Sequence, residues 1–418
     1  MFERITLKNG VRIVFEKIPY VRSVSTGIWV GTGSRRENST NNGVSHFVEH
    51  MMFKGTDKRT AKEIAQTIDN IGGQLNAFTG KECTCYYTKT LDSHFEKSLD
   101  VLADMFFNSK FAQKDIDIEK NVVIEEIFMY EDSPEELVHD ILSEAVWKGD
   151  SLGLPILGTC DCLKGMTKND IEDYVNLNYL PENTVIAIAG NFERERVVEL
   201  IKDKFENWSS ENTLNSKEFG MPDFKNGRII KEKDTEQVHV CIGFRGLDHK
   251  DEQLYSLLAV NNILGGGMSS NLFQKIREER GLVYSIYSYP SSYKNAGLFT
   301  IYAGMNPEHL NEVLQLIIHE IRILVKNGIS KEEIDKSKEQ LKGSYILGLE
   351  STSSRMNSIG KSEVLLEKIY SPDEVLKKID DIDEQSINQI IKKVFDFKNI
   401  GLSAVGNIKE DIDLKKII

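Results

Sequence analysis

Apolar positions recur along this chain in two registers. VSTGIWV (24–30) and VHVCIGF (238–244) alternate with a period of two, the pattern of a strand whose side chains point to opposite faces. NTVIAIAGNF (183–192) and NIGLSAVGNI (399–408) are apolar strands, each ending in Gly-Asn. Gly190 and Gly406 stand 216 positions apart, and the alternating strands are offset by 214. The segments before the two glycines also match in kind without gaps, with Met166 and Ile382 each 24 residues upstream. Three segments in nearly one register identify an internal duplication. Between the copies, residues 209–228 are polar, carry Gly and Pro and have no period, which is linker composition. The expected domains are 1–210 and 228–418.

Within the first half the punctuation is legible. The opening MFERITLKNGVRIVFEK reads as strand–turn–strand about Asn9-Gly10. Residues 43–54 predict a helix ending at Gly55, and Thr60 with Glu63 predicts a capping box on a second helix that stops at Gly72-Gly73. Residues 74–79 and 83–90 read as strands, Ser93 and Glu96 as another capping box, and 115–130 as a long helix. The hairpins argue for antiparallel pairing. The expected class is α+β: two homologous α/β-sandwich halves, each a mixed, mainly antiparallel sheet with helices packed on one face.

Composition narrows the functions. The 418 residues carry a net charge of −13, a poor surface for nucleic acid and one that attracts cationic partners. The stretch Tyr255 to Gln274 lacks Asp, Glu, Lys and Arg, but its asparagines, serines and three consecutive glycines exclude a membrane span. No targeting segment is visible at the start, so a cytoplasmic protein is expected. Cys83, Cys85, Cys160, Cys162 and Cys241 are odd in number and spaced C-x-C where paired, which indicates small buried residues in a reducing compartment rather than a zinc ribbon.

The chemistry concentrates in His46-Phe47-Val48-Glu49-His50. On a helix, His46 and His50 share one face and can converge on a metal, with Glu49 beside them where a general base must stand. A zinc site needs a third ligand. Glu119 and Glu126, seven residues apart in the predicted 115–130 helix, share a face, but that helix is apolar around much of its circumference and spacing leaves Glu125 open beside Glu126.

These residues resemble the pitrilysin/insulinase family of inverzincin zinc peptidases, and within it the short bacterial members similar to mitochondrial processing peptidase. The resemblance covers essentially the whole chain. It implies one zinc ion per chain held by His46, His50 and Glu126, Glu119 orienting a liganding histidine, and Glu49 as the base. In GGQLNAFTGKECTCYY it implies that Asn76, Ala77 and Phe78 lie on a strand that pairs with substrate. IREERGLVYS resembles the family's Arg-x₆-Tyr element, which implies that Arg277 holds peptide carbonyls and Tyr284 donates to the oxyanion. Gly265-Gly266-Gly267 resembles its glycine-rich loop in shorter form.

The second half lacks H-x-x-E-H: by the repeat offset, His46 falls near Val260-Asn261-Asn262. One half is therefore expected to hold metal and the other to contact substrate. Larger family members carry two such double halves, so a homodimer forming a chamber for short or unfolded peptides is expected, with cationic peptides favoured by the acidic balance. The alternative is a catalytically inactive assembly subunit of the same fold.

Overall fold

A computed structural model describes residues 2–213, 219–408 and 412 of the chain. The middle of the anticipated linker (214–218), residue 1, and 409–411 and 413–418 of the second anticipated domain lie outside the described residues.

Eleven strands form two sheets among the described residues. The first contains β1 (Phe2–Thr6), β2 (Arg12–Lys17), β3 (Ser23–Val30), β4 (Gln74–Thr79), β5 (Thr84–Leu91) and β6 (Thr184–Gly190), in the order β1-β2-β6-β3-β5-β4. The second contains β7 (Arg228–Glu232), β8 (Val238–Arg245), β9 (Val283–Ser292), β10 (Gly297–Met305) and β11 (Ile400–Gly406), in the order β7-β11-β8-β10-β9. Without the N-terminal hairpin strand β1, the two orders are the same. The pairing directions also match: β2 with β6 and β7 with β11 are parallel, and the other pairs are antiparallel. The duplication seen in the sequence is thus a duplication of topology.

The repeated Gly-Asn has a steric cause. Gly190 and Gly406 end the two matching strands with φ of +140° and +141°. A side chain at Gly190 would meet the Ser23 carbonyl, and one at Gly406 the Gln237 carbonyl, where β3 and β8 begin. Only glycine accepts both the dihedral and the close approach.

Helices α1 (Val44–Met51), α2 (Ala61–Asp69), α3 (Phe95–Asn108), α4 (Gln113–Asp132) and α5 (Pro134–Val146) follow in the first half. One face of the first sheet, through Ile13, Phe15, Ile28, Ile186 and Ile188, packs with Phe47 of α1 and Leu99 and Leu102 of α3. The opposite face, through Val14, Trp29, Val185 and Ala187, is closed by Met356, Ile359 and Val364. Those residues belong to a helix of the second half, Thr352–Leu366. The exchange is reciprocal: Cys241, Tyr302 and Val405 of the second sheet pack under Leu137, Val138 and Leu142 of α5.

The compact units therefore differ from the chain halves. One comprises Met1–Ile127, Leu154–Glu218 and Leu347–Ser371; the other comprises Phe128–Gly153, Phe219–Ile346 and Pro372–Ile418. Each half is an α/β sandwich with its own helices on one face of the sheet, and the second face is covered by a helix lent from the other half.

Local signals fared unevenly. Thr60 and Glu63 form the reciprocal capping box on α2. Ser93 and Glu96 do not form theirs: a 3₁₀ turn, Asp92–His94, leads into α3, and the Ser93 amide donates to its neighbour Asp92 at 2.9 Å. All five cysteines are free; Cys83, Cys85 and Cys241 are buried, whereas Cys160 and Cys162 are half-buried. No helix among the described residues is long and apolar enough to cross a membrane.

Candidate active site

Helix α1 is short, and its N-terminus is held from outside. Gly43 precedes it at φ +95° and brings no side-chain cap. A Cβ there would stand 2.8 Å from the Leu157 carbonyl oxygen, so the position suits glycine alone. The missing cap comes from buried Glu37. Its Oε2 accepts from the Gly43 amide at 2.7 Å and Asn42 Nδ2 at 2.9 Å, and its Oε1 accepts from the Ser45 amide at 2.7 Å. An anionic acceptor at a helix N-terminus satisfies orphan N–H groups and complements the dipole. Burial raises the Glu37 pKa, and these bonds oppose that rise. The Ser45 hydroxyl lies 2.6 Å from Tyr174 Oη, a second tie on the first turn.

So anchored, α1 presents His46, Glu49 and His50 to one side. The ligand-capable atoms of His46, His50 and Glu126 lie within 4.8 Å of one another. Glu126 Oε2 is 3.8 Å from His46 Nε2 and 3.6 Å from His50 Nε2. Donors about 2.1 Å from a tetrahedral centre are about 3.4 Å apart, so the set fits a zinc ion with little adjustment. A further observation supports the fit. His46 is buried, and burial followed by the His50 charge lowers its pKa to about 3. A neutral imidazole is the form that binds metal.

His50 is held differently. Its Nδ1 lies 2.8 Å from Glu119 Oε1, leaving Nε2 toward Glu126. Burial pulls the His50 pKa down, but the hydrogen bond and charge of Glu119, with Glu126 and Glu49, outweigh it and the net shift is upward. For Glu119, burial raises the pKa, yet His50 and Lys54 together bring it below the ordinary value.

Glu49 Oε2 accepts from Thr79 Oγ1 at 2.5 Å. Burial raises the Glu49 pKa, against the pull of that hydrogen bond, the direction that makes a carboxylate a better base. Thr79 is the last residue of β4, the edge strand of the first sheet. Alternation puts Ala77 and Thr79 on the α1 side, and Ala77 packs against the cluster that contains Phe47. Asn76 and Phe78 face the other way, with the Phe78 ring edge-on to Trp29 at 5.4 Å. Among the described residues β4 pairs only with β5, so its outer edge can accept an extended chain.

The sequence pattern of the insulinase family (peptidase family M16) matches residues 12–160, and that of the peptidase M16 inactive domain matches residues 165–341. An uncharacterized zinc protease of Bacillus subtilis is 46% identical over 412 residues, 98% of this chain and 100% of its own length. An uncharacterized zinc protease of Streptomyces coelicolor is 38% identical, covering 97% of this chain and 90% of its own. The chain belongs to the insulinase family, peptidase family M16. Its fold is shared with the crystal structure of a protease from Helicobacter pylori (TM-score 0.90, 23% identity, covering 97% of this chain and 99% of that one). The peptidase M16 inactive domain from Pseudomonas fluorescens has the same fold (TM-score 0.89, 18% identity, 99% and 100% covered).

The M16 chain keeps the remaining candidates in its second compact unit. Arg277 lies in a turn of π-helix, Phe273–Glu278, and its guanidinium carbon sits 4.7 Å from the Phe273 ring centroid and 5.7 Å from that of Tyr284. Tyr284 is 74% exposed on β9. The register slips at this residue: Gly304 pairs with Ser285, but Met305 pairs with Val283. Tyr284 is therefore the extra residue of a bulge, which turns its side chain out of the ladder.

At the repeat position of His46, Glu49 and His50, the second half is neutral. Val260, Asn261 and Asn262 lie on the helix Leu254–Leu264, and Asn262 Nδ2 donates to Ser337 Oγ at 3.2 Å and Gln340 Oε1 at 2.8 Å. Three amide and hydroxyl side chains satisfy one another there.

Four participants in the site escaped sequence reasoning. Glu37 and Tyr174 anchor α1, Thr79 holds Glu49 and Lys54 holds Glu119. Only Thr79 left a trace, since it ends the predicted 74–79 strand one alternation beyond Ala77.

Proposed function

We propose that this M16 chain is a zinc metalloendopeptidase that hydrolyses short or unfolded peptides as a homodimer. The observation that carries the reading is the meeting of His46, His50 and Glu126 beside a Glu49 fixed by Thr79. Zinc held there by His46, His50 and Glu126, one ion per chain, would supply a Lewis acid and lower the pKa of water to about 7.

The chain's own groups do the rest. Asn76, Ala77 and Phe78 present the β4 edge to an extended peptide. Glu49 takes the proton of the attacking water and passes it to the leaving nitrogen. Tyr284 donates its hydroxyl to the oxyanion, and Arg277 holds neighbouring carbonyls. Net charge −13 favours cationic peptides, a preference read from the salt dependence of their cleavage. The free cysteines suit the reducing cytoplasm.

Glu49→Gln is expected to retain zinc and abolish cleavage of a quenched peptide, while metal removal by a chelator abolishes cleavage in wild type. A Glu49→Gln protein that cleaves at the wild-type rate would remove Glu49 from the mechanism. The intact metal cluster argues against an inactive assembly subunit, and cleavage by wild type decides that point.

The homodimer rests on one H-x-x-E-H and one Arg277/Tyr284 element per chain. If zinc and Arg277 in each working site come from different chains, mixing inactive Glu49→Gln with inactive Arg277→Ala restores about a quarter of the activity, since half the dimers carry one complete site of two. No recovery after subunit exchange, or full activity at the mass of one 47.5 kDa chain, rules the arrangement out.

A further inference from the structure

Lys54 pairs with Glu119 beside the group that could hold a metal. It stands three residues beyond the end of α1, and its amide donates to the Met51 carbonyl at 3.1 Å. Its ammonium stands 2.5 Å from Glu119 Oε2, while the other oxygen of that carboxylate meets His50 Nδ1 at 2.8 Å. The Glu119 side chain is only 3% exposed. From these contacts we infer that Lys54 is a positioning residue for the metal centre, acting through Glu119; the inference rests on the reading of His46, His50 and Glu126 as the metal-holding group.

A buried carboxylate needs partners on both oxygens, and losing one leaves a desolvated acceptor free to turn away from the other. Lys54 therefore decides whether Oε1 stays on Nδ1, and so which nitrogen His50 offers to a metal. The pair also ties the C-terminal end of α1 to α4. Glu119 and Glu126 are seven residues apart on one face of α4, so the tie at Glu119 sets where Glu126 meets the two imidazoles.

A merely structural role for Lys54 is a poor account. Its side chain is 34% exposed and borders an open cleft of about 450 Å³ shared with Gly55, Thr56, Lys58 and Lys110. Truncation there leaves no void in the core.

The test is zinc affinity, by competition with a chromophoric chelator, on the full chain carrying Lys54→Met, Lys54→Arg, Glu119→Gln or Lys54→Met with Glu119→Gln. Lys54→Met is expected to weaken zinc binding about tenfold, the lower end for outer partners of a metal ligand, and Lys54→Arg to keep it within about threefold. The unfolding midpoint of metal-free Lys54→Met should move by less than about 2 °C. In the Glu119→Gln background Lys54→Met should change affinity by less than about twofold, because its effect runs through Glu119. Lys54→Gln is read in the same cycle if the Met variant does not fold. Wild-type affinity in the neutral variants, or the same loss with and without Glu119, overturns the inference. A wild-type chain that binds no zinc instead overturns the metal-centre reading, and this inference with it.

Discussion

At the scale of single residues, the candidate site depends on polar side chains that the sequence does not place. Glu37 lies nine residues before His46 in a loop, yet its carboxylate accepts the Gly43 and Ser45 amides and the Asn42 side chain. Glu37→Gln keeps the shape but replaces one acceptor oxygen with an NH₂ that faces other donors. It is expected to destabilise the chain by about 1–3 kcal/mol, read from denaturant unfolding, and to lower peptide turnover through a shifted α1. Unchanged stability would show that α1 does not need this cap. By contrast, His46, Glu49 and His50 were legible because one helical turn brings them together. The choice of Glu126 over Glu125 was not legible from periodicity, for a reason visible in α4. Ile116, Val123 and Ile127 are buried on one side of it, while Ile118, Val122 and Met129 are exposed on another. Apolar residues on both sides erase the polar face that would have marked the glutamate turned to the site, and in the structure Glu125 is exposed while half-buried Glu126 joins the cluster.

At the scale of elements, strands are legible in the sequence and irregular turns are not. The alternation at 24–30 and 238–244 and the Gly-Asn ends mark β3, β8, β6 and β11 because each reflects a backbone constraint local to the strand. Neither the π-helical turn at Arg277 nor the bulge at Tyr284 has a local code, since both are set by packing. The same holds for Ser93, where a 3₁₀ turn replaced the expected capping box. The helix Thr352–Leu366 is the least legible element in its destination. Its Gly360 lies so close to the Trp29 indole that a methyl group there would overlap the ring, and Met356 Sδ accepts from Trp29 Nε1 at 3.4 Å. Gly360→Ala gains helix propensity of about 1 kcal/mol but forces the contact apart, and overpacking costs typically 1–3 kcal/mol. A net loss of stability is expected, with the Trp29 fluorescence altered. A stabilised Gly360→Ala protein would mean the helix can lift off the sheet at little cost.

At the scale of the whole molecule, the duplication suggests two domains that follow the chain, whereas the packing assigns Phe128–Gly153 and Leu347–Ser371 each to the unit built mainly from the other half. The sequence hides this because a strand face that must be covered looks the same whichever helix covers it. The consequence is energetic. Val14, Trp29, Val185, Ala187 and Ala189 are all nearly fully buried, and the helix bearing Met356, Ile359 and Val364 is what buries them. A fragment ending at residue 210 carries the whole of H-x-x-E-H, Glu119 and Glu126, but leaves that face in water. At roughly 1.5–3 kcal/mol for each large apolar side chain left exposed, the loss is comparable to the 5–15 kcal/mol that holds an ordinary domain together. Residues 1–210 expressed alone are therefore expected to aggregate or to lack a cooperative unfolding transition. Supplying residues 347–371 as a separate peptide should restore part of that transition. If 1–210 alone unfolds cooperatively and binds zinc as the full chain does, the lent helix is dispensable and the linear division into domains describes the molecule better than its compact units do.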